Sequence, residues 1–378
     1  MVRSAAILLV LASHCGDSFA TWRGDQAPWW LSVSGFFGVE LFFVLSGFLI
    51  GRLLIRAIAA KPTMRAWGVF MLRRWMRTLP LYFIWLAFLL ALWPPRFWEP
   101  GHWALASDYL LRYATLTQNL AWPMRDGWFG VSWSLTVEEW FYLGFSTALF
   151  GAVALLGRWV GFWTACALFL AVPAALRWQV PDSADFGEVL TKVAVLRLDA
   201  IAFGVLVAWA EARRSRLFRH PLPALACGVL LIASIWGGWF DRLVPLDPHV
   251  RRTFLFDIAS LGFALCLPAA AALPRLPRVP GALALAISTQ SYAIYLVHLS
   301  ILEFAGYYRA RWHIPVLGAA TASLALIWVL SWASWRWIEA PILARRPRQP
   351  TSGEPAPSVV RVPTTPIYAG DGRSHADL

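Results

Sequence analysis

The chain has 378 residues, of which 59% are hydrophobic and only 14% charged, with 24 Trp and 24 Phe. That balance excludes an ordinary soluble domain and marks a membrane protein. The formal net charge of +12 does not make it a nucleic-acid binder, because the arginines gather in connectors beside hydrophobic segments, where they orient spans and meet anionic lipid.

Stretches long enough to cross a hydrocarbon layer of roughly 30 Å recur along nearly the whole chain, each needing about 20 residues as a helix. The roughly ten-residue alternation of a membrane barrel is absent, which leaves helices as the way to satisfy the backbone. Hydropathy and punctuation predict an all-α, polytopic integral membrane bundle of about ten transmembrane helices, near 4–20, 36–55, 69–93, 129–156, 159–177, 193–210, 222–240, 254–273, 281–304 and 316–338. The transmembrane domain is expected over residues 1–346, followed by a disordered tail rich in Pro, Ser, Thr and Gly over 347–378. Cys15, Cys166, Cys227 and Cys266 lie in or at the edges of apolar runs without paired or metal-type spacing, and read as small buried hydrophobes.

The first helix, "RSAAILLVLASHC", carries Arg3 and His14. At 1.5 Å per residue they stand about 16 Å apart and work at different depths. An arginine before an apolar run has the outline of a secretion signal, but His14 sits where a cleavage site needs a small residue and another span follows at once, so the segment is expected to remain as a helix. His14 is either a general base poised near neutrality or a helix-terminal imidazole bonded to a backbone carbonyl. In the second helix, "GFFGVELFFVLSGFLIGRLL", Glu40 suits a structural salt bridge as well as chemistry, and Gly35, Gly38 and Gly47 permit close helix packing. The third, "FMLRRWMRTLPLYF", places Arg73, Arg74 and Arg77 at one end. Arg74 and Arg77 share a face one turn apart, a spacing that serves a phosphate clamp or a plain positive-inside anchor.

A longer connection, 94–128, contains "WPPRFWEPGHW" in its first part and "AWPMRDGW" in its last, and reads as an interfacial loop with a half-buried helix, placed to cap a cavity. The fourth span opens on "WFGVSWSLTVEEWFYLGF". Successive helix residues point about 100° apart, so Glu138 and Glu139 face different sides. One is available to fix a histidine tautomer or carry a proton, and the other to pair with an arginine. With Ser132 and Ser134 nearby the segment is too polar to face lipid alone. Arg197 and Asp199 in "VLRLDAIAFG" do not share a helix face, so each is expected to bond a neighbouring span. Tyr292, Tyr295 and His298 recur at helical spacing in "ISTQSYAIYLVHLS", forming a stripe that is either packed aromatic surface or part of a site, and Glu339 stands in "WRWIEAP".

Charge alternates between connectors. Arg52, Arg56, Lys61, Arg65, Arg73, Arg74 and Arg77 flank one; Arg213, Arg214, Arg216 and Arg219 the next rich one; then come Arg275 and Arg278, and then Arg345, Arg346 and Arg348. These ends belong inside, which puts both termini in the cytoplasm and the loops 21–33, 179–192 and 305–315 outside. Arg242, Arg251 and Arg252 run against the pattern.

Taken in order, these stretches resemble the acyltransferase 3 family of polytopic membrane acyltransferases, from Arg3 to about Arg345. Arg3 and His14 meet its opening arginine, ten residues, histidine signature. "GVELFFVLSGFLI", the Arg74/Arg77 pair, "WSLTVEEWFYL", "RLDAIAFG", "SYAIYLVH" and "IEAP" follow in the family's order. Family members carry several residues ahead of the first-helix arginine, whereas Arg3 is third here. The resemblance implies transfer of an acyl group, commonly acetyl, from acyl-CoA as co-substrate, with no bound cofactor or metal. The acceptor would be a hydroxyl of a carbohydrate: a polysaccharide, a lipopolysaccharide or other lipid-linked glycan, or a glycosylated small molecule, handled at the inner membrane. On that resemblance His14 leads as the catalytic residue, with Glu138 supporting it. Arg3, Arg73, Arg74, Arg77, Glu40, Trp133, Ser134, Glu139, Tyr295 and His298 are expected at the substrates, with Arg3 and the Arg74/Arg77 pair either taking the donor's phosphates on the side where CoA is found or organising the inner cavity. The alternative is a transporter or flippase of a glycan precursor that uses the same buried charges as a path; paired inverted halves would favour it, and the sequence shows none.

Overall fold

A computed structural model describes residues 1–60, 62–92, 103–124, 127–273 and 277–347. Lys61, Arg275, Arg348, residues 93–102 and the expected tail beyond 347 lie outside them. Every regular element among the described residues is helical, and seven helices are long and apolar enough to cross a membrane. The protein is therefore a polytopic membrane bundle. Large side chains such as Leu230, Leu285 and Leu324 stand exposed on its surface, as suits contact with lipid.

In chain order the main helices are α1 (Val2–Arg23), α2 (Ser34–Ala60), α3 (Met64–Leu92), α4 (Trp103–Ala114), α5 (Ser132–Trp178), α6 (Leu198–Ala212), α7 (Pro221–Trp236), α8 (Pro248–Ala272), α9 (Arg278–Trp312) and α10 (Val316–Ser334). The 47 residues of α5 are two helices rather than one. Gly157, at φ 80° and ψ 167°, breaks the rod, a backbone position open to glycine. Gly161 then returns against the preceding arm so closely that a Cβ on it would lie 2.5 Å from the backbone of Ala152 and Val153. The two arms match the spans expected at 129–156 and 159–177. Helices α6 and α7, with 15 and 16 residues, match those at 193–210 and 222–240 but fall short of the length that marks the other seven. Helix α4 lies in the long connection, where a half-buried helix was expected, and is tied down through Tyr82 Oη of α3, which donates to the carbonyl of Tyr113 at 2.8 Å.

Three contacts set the frame. Helices α2 and α6 cross backbone to backbone: a Cβ on Gly47 would come to 1.8 Å of the Ile201 carbonyl oxygen, and one on Gly204 to 2.0 Å of the Val44 oxygen. Helix α1 packs between α2 and α9. Buried ion pairs hold the third. Arg177 of α5 reaches Asp199 of α6 at 2.6 Å and Asp257 of α8 at 2.5 Å, while its Nε donates to the Thr253 carbonyl at 2.7 Å. Arg197, just ahead of α6, pairs with Glu40 of α2, whose other oxygen accepts from Ser260 of α8. Arg197 and Asp199 thus bond different neighbours. Arg251 and Arg252, which run against the sidedness pattern, are neutralised locally by Asp241 at 2.5 Å and by Asp182 at 3.9 Å.

Candidate functional site

His14 lies eleven residues along α1 from Arg3, at a cavity of about 240 Å³ enclosed by α1, α2, the start of α5 and the segment ahead of α6. Asp17, Ser32, Glu40, Trp133, Lys192 and Arg197 are among the residues that line it. The segment before α2 is strapped to α1 by two bonds: Ser13 Oγ donates to the Ser32 carbonyl at 2.7 Å, and Ser32 Oγ donates to Asp17 Oδ1 at 2.5 Å. Gly35 keeps the wall open next to the imidazole, since a Cβ there would lie 2.8 Å from Ser13 Oγ and 4.0 Å from His14 Nε2.

The protonation pattern of His14 follows from its neighbour. His298, fully buried on α9, faces the carbonyls of Tyr295 at 2.8 Å and Ile294 at 3.1 Å with Nδ1. A carbonyl oxygen only accepts, so Nδ1 of His298 carries the proton and, in the neutral ring, Nε2 presents a lone pair. His14 Nδ1 lies 2.7 Å from that Nε2 and donates to it, with the two ring planes within 12° of each other and the rings meeting edge to edge. The remaining nitrogen of His14, Nε2, is then the unprotonated one, on the side of the ring that faces Gly35 and the cavity.

At the Arg3 end a second polar group assembles. Arg3 of α1 and Arg74 and Arg77 of α3 lie within electrostatic reach of one another, and Glu138 on α5 lies within reach of Arg3 and Arg74. Glu339 and Arg346, from the turns after α10, border the same group. Nε of Arg3, Arg73 and Arg74 is buried without a partner among the described residues. Arg73 Nη1 donates to the Pro347 carbonyl.

Hydroxyls and carboxylates join the two ends. Ser46 Oγ donates to Glu138 Oε1 at 2.8 Å, and Ser134 Oγ lies 2.6 Å from Tyr295 Oη, whose ring packs against His298. Glu139 turns the other way and accepts from Thr78 of α3 at 2.6 Å, so the two adjacent glutamates face different helices as their spacing requires. Among the residues expected at the site, His14, Glu40 and Trp133 meet at the cavity with His298 behind them. Arg3, Arg74, Arg77 and Glu138 meet at the other end, and Ser134 and Tyr295 lie between. Glu40 faces the cavity while serving a buried ion pair, so its two expected roles are combined.

Asp17, Lys192 and Arg346 were not singled out as site residues. Asp17 was hinted at by its position one turn after His14, whereas Lys192 and Arg346 lie in connectors whose charges read as sidedness. A larger apolar groove of about 820 Å³ between Met64 and Trp67 on one side and Trp140 to Ala154 on the other has no ionisable lining residue and no part in this arrangement. No cluster of metal-ligating side chains occurs among the described residues.

Comparison with known proteins gives one match: residues 1–336 fit the Acyl_transf_3 family, described as an acyltransferase domain. No curated protein matches the chain, and no solved structure does. A match over most of the length shows the family: the chain belongs to these acyltransferases, and family membership supports acyl transfer as its general activity.

Proposed function

We propose that this membrane acyltransferase moves an acyl group, acetyl in the first instance, from acyl-CoA to a carbohydrate hydroxyl, with His14 as general base. The observation that carries the reading is the lone pair of His14 Nε2 at a half-open cavity, fixed by His298, on the same helix whose other end joins a group of incompletely bonded arginines. The bundle crosses the inner membrane ten times, with the two arms of α5 and the shorter α6 and α7 supplying the crossings beyond the longest helices. Both termini lie in the cytoplasm, so the arginine group faces the compartment that supplies CoA and the His14 cavity opens toward the other side.

In this scheme Arg3, Arg74 and Arg77 hold the phosphates of the donor, with Glu138 setting their spacing. The pantetheine arm extends along the column of Ser46, Ser134 and Tyr295 toward His14. The acceptor hydroxyl enters beside Asp17, Trp133 and Lys192, where the aromatic face and the charged groups suit a sugar. His14 Nε2 takes the hydroxyl proton as the oxygen attacks the thioester carbonyl, the carbon–sulfur bond breaks, and the imidazolium returns the proton to the departing thiolate. Lys192 and the Trp133 indole are the donors placed to stabilise the developing oxyanion. Products are the ester and CoA, and no cofactor or metal is consumed.

The test is transfer of label from radiolabelled acetyl-CoA into the glycan fraction of membranes containing the protein. His14→Ala is expected to lower the rate about 10²- to 10⁴-fold, the contribution of a positioned base. Wild-type membranes that move no label, or a variant that keeps the full rate, overturn the reading.

A further inference from the structure

The family match ends at residue 336, yet the chain continues in a built course. After α10 it winds through Trp335–Glu339 and Ala340–Ala344, then turns so that Arg346 and Pro347 come back against α3. Pro347 is held there by Arg73, and Arg346 stands within electrostatic reach of Arg77, Arg74, Arg73 and Glu339. Nε and Nη2 of Arg346 are buried without a partner among the described residues, the same condition as Nε of Arg3, Arg73 and Arg74.

Five guanidinium groups thus converge on three carboxylates, and one of those, Glu139, is turned toward Thr78. Desolvation and the neighbouring arginines bring Arg346 down to about 10, still charged at neutral pH but held at a cost. An arrangement that desolvates like charges and leaves their donors open is relieved by a polyanion with several phosphate oxygens, to which each planar fork can bond in pairs. Position selects which part of the anion Arg346 meets. Arg3 and Arg74 lie on membrane-length helices on the path toward His14, whereas Arg346 follows the last helical turn, at the outer lip of the group. A donor whose thioester points inward leaves its nucleotide end at that lip.

We propose that Arg346 binds the 3′-phosphate of the CoA nucleotide, and so makes the segment beyond the matched domain a determinant of donor choice. This rests on the acyl-CoA reading above, and it carries its own readout.

The experiment uses the full chain in phosphatidylcholine nanodiscs, so that no anionic lipid competes. Adenosine 3′,5′-bisphosphate and its analogue lacking the 3′-phosphate are titrated calorimetrically against wild type, Arg346→Gln and Arg346→Lys. Charged hydrogen bonds of this kind predict that Arg346→Gln weakens the bisphosphate about tenfold and erases the preference over the analogue, with Lys recovering part of it. Thermal unfolding of each variant is followed alongside, because a structural loss would weaken both ligands equally. With acetyl-CoA and its 3′-dephospho counterpart as donors, the same variant should raise KM for the first about tenfold more than for the second. Equal effects on the two ligands, or no binding of the bisphosphate by wild type, overturn the proposal. An active His14→Ala protein that retains the Arg346-dependent preference would sink the assignment of the base and leave this inference standing.

Discussion

Two populations of arginine share this bundle and differ in what surrounds them. Arg177 and Arg197 are about 1% exposed and matched to carboxylates, with Asp199 and Asp257 on the first and Glu40 on the second; Arg177 Nε and Nη1 and Arg197 Nη1 bond carbonyls, while Arg197 Nε has no partner among the described residues. Arg3, Arg73, Arg74 and Arg346 are half-buried and leave donors unbonded among the described residues. Charge in an apolar setting is costly in both cases. The first group meets the cost by pairing with carboxylates within the fold and ties four helices together, whereas no carboxylate among the described residues forms an ion pair with the second, a partner that an anionic ligand can supply. Pairing with a carboxylate, rather than depth or charge, separates the scaffold from the candidate site.

The largest effect expected from this contrast is on stability. Arg177→Leu removes the ion-pair partner of Asp199 and Asp257, and removing one partner of a buried pair costs about 3–5 kcal/mol. Thermal unfolding in nanodiscs should show a large fall. Replacing Arg177, Asp199 and Asp257 together by apolar residues of similar volume should restore most of it, because buried ion networks are often neutral against well-packed hydrophobes. A triple variant as unstable as the single one would break the view of this network as replaceable scaffold.

Next comes the opposite group. Arg74→Ala with Arg77→Ala relieves repulsion instead of stranding a charge, so stability should change by less than about 1 kcal/mol. KM for acetyl-CoA should rise roughly tenfold to a hundredfold, the range of one or two lost charged hydrogen bonds. A fall in thermal stability comparable to that of Arg177→Leu would move these residues into the scaffold.

How much of this was legible beforehand follows from which constraints are local. The split between Glu138 and Glu139, and between Arg197 and Asp199, depends only on helical angle, and both pairs bond separate helices as that angle requires. Spans are legible because lipid imposes length and apolarity, and the break at Gly157 falls between two of them. Arg177 was not legible: at the end of a span an arginine looks like an interfacial anchor, and only its tertiary partners reveal it as a keystone of packing. Arg346 is the converse, a charge whose place in a loop suggests sidedness until the chain folds back on α3. The pairing of His14 with His298 joins residues 284 apart. Each imidazole was visible as a candidate, and neither sequence context contained the other.

The smallest expected effect concerns His298, which belongs to both sides of the comparison, being fully buried with both ring nitrogens bonded yet in contact with the proposed base. Its role is to accept from His14 Nδ1, so the loss should be that of one neutral hydrogen bond and the order it imposes, about 1 kcal/mol, or roughly fivefold to tenfold in kcat. Removal of the acceptor by His298→Leu lets the His14 proton move to Nε2, where the ring no longer acts as base, and KM for acetyl-CoA should stay close to wild type because the arginine group is remote. His298→Gln restores an acceptor to the same region and should recover part of the rate. The split between kcat and KM, with rescue by Gln, distinguishes a tautomer-setting partner from simple packing, which Leu would satisfy better than Gln. If Leu is the faster of the two, His298 is core, and the proton on His14 is placed by something else.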